Sequence, residues 1–125
     1  EIFNRYGVIK FRKIESEMLI KLAGIQQDII LSVGGGTPVY GENMKTLNQY
    51  FTTIYLRANV PTLYKRLANG KEHRPLIARV ADQDLAEFIG KHLFERTAYY
   101  EQSQFIVDVN TKNTSEISTA CMELL

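Results

Sequence analysis

The sequence predicts an α/β fold in which helices flank a parallel sheet. Short apolar or β-branched runs at 28–33, 52–56 and 104–109 alternate with longer segments whose apolar residues recur at helical spacing. That alternation is the pattern of strands joined by helical crossovers. With 125 residues, 45% of them hydrophobic, the chain is sized for one domain around one core.

The elements follow in order. The opening EIFNRYG reads as a short helix already under way, and the first residue is Glu1, so the chain is expected to be a piece of a longer one. Phe11, Ile14, Met18, Leu19 and Leu22 then mark a helix that Gly24 closes. Residues 28–33 are almost continuously apolar, as in a buried parallel strand. Residues 42–50 can be helical with Met44 and Leu47 inward, and 52–56 form a second strand. Pro61 suits a first helical turn, and Leu63, Leu67 and Ala68 carry that helix to Asn69-Gly70. Residues 70–84 are polar and interrupted by Pro75, which predicts a surface loop. Leu85, Phe88, Ile89, His92, Leu93 and Arg96 mark a longer helix, 104–109 a third strand, and Ile117, Ala120, Cys121 and Leu124 a last helix. Ligands of such sheets bind beyond the carboxyl ends of the strands, and the first apolar run leads there into SVGGGTPVYGEN.

Composition excludes several functions. Fifteen basic and fourteen acidic residues leave a formal net charge of +1, without the basic runs of a nucleic-acid or membrane surface. A lone cysteine allows no internal disulfide and points to a reducing cytoplasm. His73 and His92 stand apart from each other and from Cys121, so no metal-ligand spacing appears. His92 falls on the apolar side of its helix and is expected to be packed or partly exposed.

Four glycines between positions 34 and 41 imply backbone that bends or comes close to something. Two phosphate-binding patterns fail here. The dinucleotide fingerprint G-x-G-x-x-G breaks at Val39, and G-x-x-x-x-G-K-[ST] meets Glu42 and Asn43 where lysine and a hydroxyl belong. A simple flexible connection is the other reading of Gly34, Gly35 and Gly36. Three arginines sit in noticeable settings: Arg12 in FRKIE with Glu15 one turn on, Arg74 before Pro75, and Arg96 in ERTAYY. Each alone would ordinarily be a solvated arginine, and the tyrosines at 99 and 100 core and rim.

The order of these pieces is more telling than any one of them. FRKIE on a helix, a run ending in GGG, a loop with R-P-L and a helix with R-x-x-x-Y together resemble the shikimate kinase family, from Glu1 to the end of the chain. The resemblance implies a P-loop-kinase-like parallel sheet, here without its first two strands, and transfer of the ATP γ-phosphoryl group to the 3-hydroxyl of shikimate with Mg²⁺, a step toward chorismate and the aromatic amino acids. By motif, Arg12 and Arg96 would grip the substrate carboxylate, and Gly34, Gly35 and Gly36 would let the ring lie against the backbone. Glu15 would hold Arg12. Arg74, in a lid at 70–84, would reach the transferring phosphate, and Arg66 with Thr111, Lys112 and Asn113 would meet the adenine. A forked guanidinium suits a planar carboxylate, and a closing lid keeps water from the phosphoryl group.

The family's G-x-x-x-x-G-K-[ST] loop, its Mg²⁺-binding hydroxyl and the following substrate-binding aspartate have no match in these residues. The chain by itself is therefore expected not to turn over. Left without the strand between them, 52–57 is expected to pair with 104–109, 28–33 either to stay apart or to collapse into non-native pairing, and the isolated chain to be molten or aggregation-prone. The resemblance further implies a monomer with no nucleic-acid or membrane partner. Two other readings stand beside it: a related small-molecule kinase such as a gluconate kinase, and a kinase-derived binding module without catalysis.

Overall fold

A computed structural model describes residues 2–68 and 84–125, with side chains from Gly7 onward. The predicted lid at 70–84, apart from Asp84, and with it Arg74, lies outside the described residues. In order, the elements are α1 (Ile2–Ala23), α2 (Asn43–Tyr50), β1 (Ile54–Arg57), α3 (Val60–Ala68), α4 (Leu85–Tyr100), β2 (Phe105–Asp108) and α5 (Thr114–Glu123). A single turn of 3₁₀ helix, Thr37–Val39, follows the glycines.

The two predicted helical stretches at the start meet at a kink at Gly7, whose φ of 84° only glycine adopts without strain. Leu19 is buried on α1, whereas Met18, predicted inward, is 50% exposed. Leu19 packs with Met44 and Leu47 of α2, and Leu31 and Phe51 cover this cluster. The inward residues of α2 are thus those its sequence marks.

β1 and β2 run parallel, pairing Ile54 with Phe105 through Arg57 with Asp108. The ladder is extended at both ends, by Phe105 N–H donating to the Thr53 carbonyl and Val109 N–H to the Arg57 carbonyl. Thr53 is buried, and its hydroxyl oxygen accepts from Gln104 N–H at 2.8 Å while its proton goes to Asn48 of α2. Beyond β2, Val107 and Val109 pack with Ala58 under Ile117, Ala120, Cys121 and Leu124 of α5. α3 and α4 meet through Leu63 and Leu67 against Leu85 and Ile89. Asn59 starts α3 as an N-cap, its side chain accepting from Thr62 N–H at 3.0 Å.

The apolar run at 28–33 stays apart, as expected of a strand without its neighbour. Residues 28–33 carry no ladder, and the described sheet has two strands instead of three. A strand exists only through a neighbour's backbone groups, and apolar character cannot supply them. Leu31 still finds the α1–α2 cluster, but Ile29 and Val33 are exposed and Ile30 is 96% exposed. The expected pairing of the second and third runs with each other is what the sheet shows.

Candidate active site

The glycine turn is where three helices converge. Gly36 is followed by the 3₁₀ turn, closed by Thr37 N–H to the Gly34 carbonyl and Val39 N–H to the Gly36 carbonyl. Arg12 reaches this turn from α1 and Arg96 from α4. A methyl group built on Gly36 would overlap the Arg12 guanidinium, with Cζ at 2.8 Å and Nη1 at 3.0 Å. One built on Gly35 would stand 3.1 Å from Arg96 Nη1 and 3.3 Å from the Tyr100 hydroxyl oxygen. Gly34 has room, with Thr37 Oγ1 at 3.7 Å. Two guanidinium groups from separate helices therefore lie against consecutive glycines. A side chain there would displace them.

Arg12 is anchored from below. Its Nη1 donates to Glu15 Oε1 at 2.8 Å, an i, i+3 pair on α1 with each side chain 21% exposed. The other carboxylate oxygen, Oε2, accepts from the Thr37 hydroxyl at 2.7 Å. Asn43 Nδ2 donates to the Thr37 carbonyl at 2.9 Å, and Ser16 Oγ donates to Asn43 Oδ1 at 2.8 Å. Arg96 has no hydrogen-bond or ion-pair partner among the described residues. Among the described residues, two arginines and one glutamate leave one uncompensated positive charge at the turn. That balance suits a single carboxylate.

Tyr100 closes the site on the α4 side. Its hydroxyl donates to the Gly35 carbonyl, and its ring lies 5.2 Å from that of Tyr55 on β1. Partial burial, and then the nearby Tyr100, push the Tyr55 hydroxyl above its ordinary pKa. Expected only as core or rim, Tyr100 is instead a support of the glycine turn. The sequence reading singles out none of Thr37, Asn43 and Ser16. The sequence signal for Thr37 is its place directly after the third glycine; Ser16 and Asn43, 27 residues apart, give none. His92 stacks on Phe88, with ring centroids 4.3 Å apart, and is a half-buried packing residue as its position on α4 predicts.

A second corner forms where β2 ends. Arg66 Nη2 donates to the carbonyls of Val109 at 3.0 Å and Lys112 at 3.2 Å. Lys112 Nζ turns back to the Asp108 carbonyl at 3.0 Å. Asn113 caps α5: its side chain accepts from Glu116 N–H at 2.8 Å, and Glu116 accepts from Asn113 N–H at 3.0 Å. Arg66, Lys112 and Asn113 are thus brought together, at the carboxyl end of the sheet. The Asn113 side chain is already committed to its helix. Among the described residues, no group of three or more His, Cys, Asp or Glu could hold a metal ion. No described helix is long and apolar enough to cross a membrane.

Known proteins share this arrangement of sequence. The family model for shikimate kinase matches residues 1–125. A shikimate kinase of Flavobacterium johnsoniae is 40% identical over 126 aligned residues, which take in all of this chain and 73% of that protein. One from Flavobacterium psychrophilum is 41% identical over 118 residues, covering 94% of this chain and 69% of the relative. The crystal structure of the shikimate kinase of Bacteroides thetaiotaomicron superposes with a TM-score of 0.86 at 29% identity, over 98% of this chain and 70% of that one.

Proposed function

The chain belongs to the shikimate kinase family, and from that premise we propose that the glycine turn with Arg12 and Arg96 holds the carboxylate of shikimate. The activity is the family's: transfer of the γ-phosphoryl group of ATP to the shikimate 3-hydroxyl. Neither a gluconate kinase nor a non-catalytic module finds support in these matches.

The observation that carries the assignment is the approach of two guanidinium groups to Gly35 and Gly36. Each can offer two parallel N–H donors to a planar carboxylate, and two such forks from different helices fix a ring in rotation as well as position. The absence of side chains at the turn lets the ring lie against the backbone. Orientation matters because phosphoryl transfer depends on it more than on covalent help from the protein. The hydroxyl oxygen forms the new bond to the γ-phosphorus, the bond to the β–γ bridging oxygen breaks with its electron pair leaving on ADP, and the hydroxyl proton passes to solvent.

Arg74, in a lid at 70–84, neutralises charge on the transferring phosphoryl oxygens in this reading, and closure excludes water. Arg66 and the turn through Lys112 and Asn113 meet the adenine, with the Asn113 contact made by backbone since its side chain caps α5. Mg²⁺ is the family's expected companion of ATP, but the described residues supply it no set of acidic, His or Cys ligands. We place the protein in the cytoplasm on its lone cysteine, and propose a monomer on its likeness to the family.

Titrating shikimate and ATP separately into active enzyme carrying Arg12→Ala or Arg96→Ala tests the assignment. Each charge-assisted contact is worth roughly 1.5–3 kcal/mol, so shikimate affinity falls about tenfold or more while ATP affinity holds. Unchanged shikimate affinity in both variants would end it.

A further inference from the structure

Thr37 directly follows the glycines and is turned into the protein. It is 1% exposed, and Asn43 beside it is 4% exposed. A hydroxyl and an amide this deep are costly unless every polar atom finds a partner. All do, and no buried side-chain nitrogen or oxygen among the described residues lacks one. The partners form a closed circuit: Ser16 Oγ to Asn43 Oδ1 at 2.8 Å, Asn43 Nδ2 to the Thr37 carbonyl at 2.9 Å, and Thr37 Oγ1 to Glu15 Oε2 at 2.7 Å. Glu15 and Ser16 are neighbours on α1, so the circuit returns to the helix it left. From it Glu15 Oε1 branches to Arg12, accepting from Nη1 at 2.8 Å.

From this circuit we infer that Thr37 is a positioning residue for the substrate carboxylate, acting through Glu15 on Arg12. The inference rests on the proposed role of Arg12. A glutamate held only by an arginine is free to swing with it, because both side chains are long and rotamer-rich. With Oε2 tied to a buried hydroxyl, the Glu15 carboxylate has one orientation, and Oε1 presents one place for Arg12 Nη1. The guanidinium is thereby fixed before substrate arrives, and binding does not have to supply that ordering. The circuit also ties the turn to both α1 and α2, so the glycines and the arginine that face each other are set by the same bonds. Asn43 has no substitute in this: its oxygen serves Ser16 while its nitrogen serves the turn, which a carboxylate could not do.

Thr37→Val keeps the shape and removes the hydroxyl; Thr37→Ser keeps the hydroxyl. In active enzyme, Thr37→Val raises the KM for shikimate roughly five- to twentyfold, with kcat and the KM for ATP within about twofold, because the lost interaction is made in ground and transition state alike. Thr37→Ser returns the shikimate KM to within about twofold of the parent. Combined with Arg12→Ala, Thr37→Val adds nothing further, which distinguishes action through Arg12 from general loosening of the fold. An unchanged shikimate KM in Thr37→Val, no rescue by serine, or equal losses with and without Arg12 would each overturn the inference while leaving the carboxylate assignment standing. If Arg12→Ala itself leaves shikimate KM unaltered, the assignment falls, and the role of Thr37 with it.

Discussion

Adding one methyl group at Gly36 separates steric exclusion from backbone strain. Gly36 has φ −84° and ψ −16°, a conformation any residue adopts, so Gly36→Ala carries no backbone penalty. Restricting the unfolded chain even favours folding by about 0.4–1 kcal/mol. The cost falls elsewhere. The new Cβ would overlap the Arg12 guanidinium, with Cζ at 2.8 Å. Backbone on one side cannot yield, but a guanidinium at the end of a long side chain can, so Arg12 leaves. It gives up its Glu15 bond and its place beside the turn. The loss of one charge-assisted contact to substrate is roughly 1.5–3 kcal/mol, or about ten- to a hundredfold in affinity. Gly35→Ala is milder, since Arg96 Nη1 at 3.1 Å and the Tyr100 oxygen at 3.3 Å need give only a few tenths of an ångström. Gly34→Ala, with Thr37 Oγ1 at 3.7 Å, is nearly silent toward Arg12 and Arg96. Calorimetric titration of shikimate into the three variants, with thermal unfolding of each, should show affinity falling in the order Gly34, Gly35, Gly36 while stability barely moves. Equal losses in all three, or a Gly36→Ala protein that binds shikimate like its parent, would refute the steric argument.

Two further outcomes concern stability. Asn113→Ala removes the side-chain bond of the α5 capping box, leaving the backbone N–H bond to Glu116, and should cost about 1 kcal/mol, lowering Tm by a few degrees in a thermal melt. Shikimate affinity should not change, and a large loss of ATP affinity would show that the side chain has a role besides capping. The Tyr55 hydroxyl is raised above 10.0, mainly by burial and then by Tyr100. A raised folded value means that its contribution is complete below the unfolded value and is lost as pH climbs through the folded one. Stability should therefore drop on the alkaline side of about pH 10, and Tyr55→Phe should flatten that drop in urea titrations at about pH 9 and pH 11. An identical slope in both proteins would remove Tyr55 from the account.

What the sequence disclosed depended on whether the information was local. α2 was legible because Met44 and Leu47 sit one helical turn apart and both go inward. The Arg12–Glu15 pair was legible for the same reason. Arg12 and Arg96, 84 positions apart, could be brought to one turn only by their likeness to a known motif order, since nothing in either segment names the other. The capping residue Asn113 is the opposite case: its N-x-x-E spacing with Glu116 is a local signal for a cap, while the motif resemblance points to a ligand role. Tyr100 was underrated because a tyrosine on an amphipathic helix is ordinarily explained by its ring, and its hydroxyl had no partner in sequence.

The unformed strand bears on how the site holds together. In a parallel α/β sheet, the loop after a strand is usually placed by the ladder beneath it. Here residues 28–33 carry no ladder, and Ile30 lies almost fully open. The glycine turn that follows is nevertheless gripped from three directions: by Glu15 of α1 through Thr37, by Asn43 of α2, and by Tyr100 of α4 at the Gly35 carbonyl. Each is a side-chain bond, and two of them end on backbone carbonyls, so they fix the path of the turn as well as its contacts. Short polar clamps of this kind can act without a sheet because each needs only a helix at the right distance. The apolar segment supplies Leu31 to the α1–α2 cluster and so sets where the turn begins. It does not set where the turn goes. That task falls to polar side chains on helices, which hold the turn that faces Arg12 and Arg96.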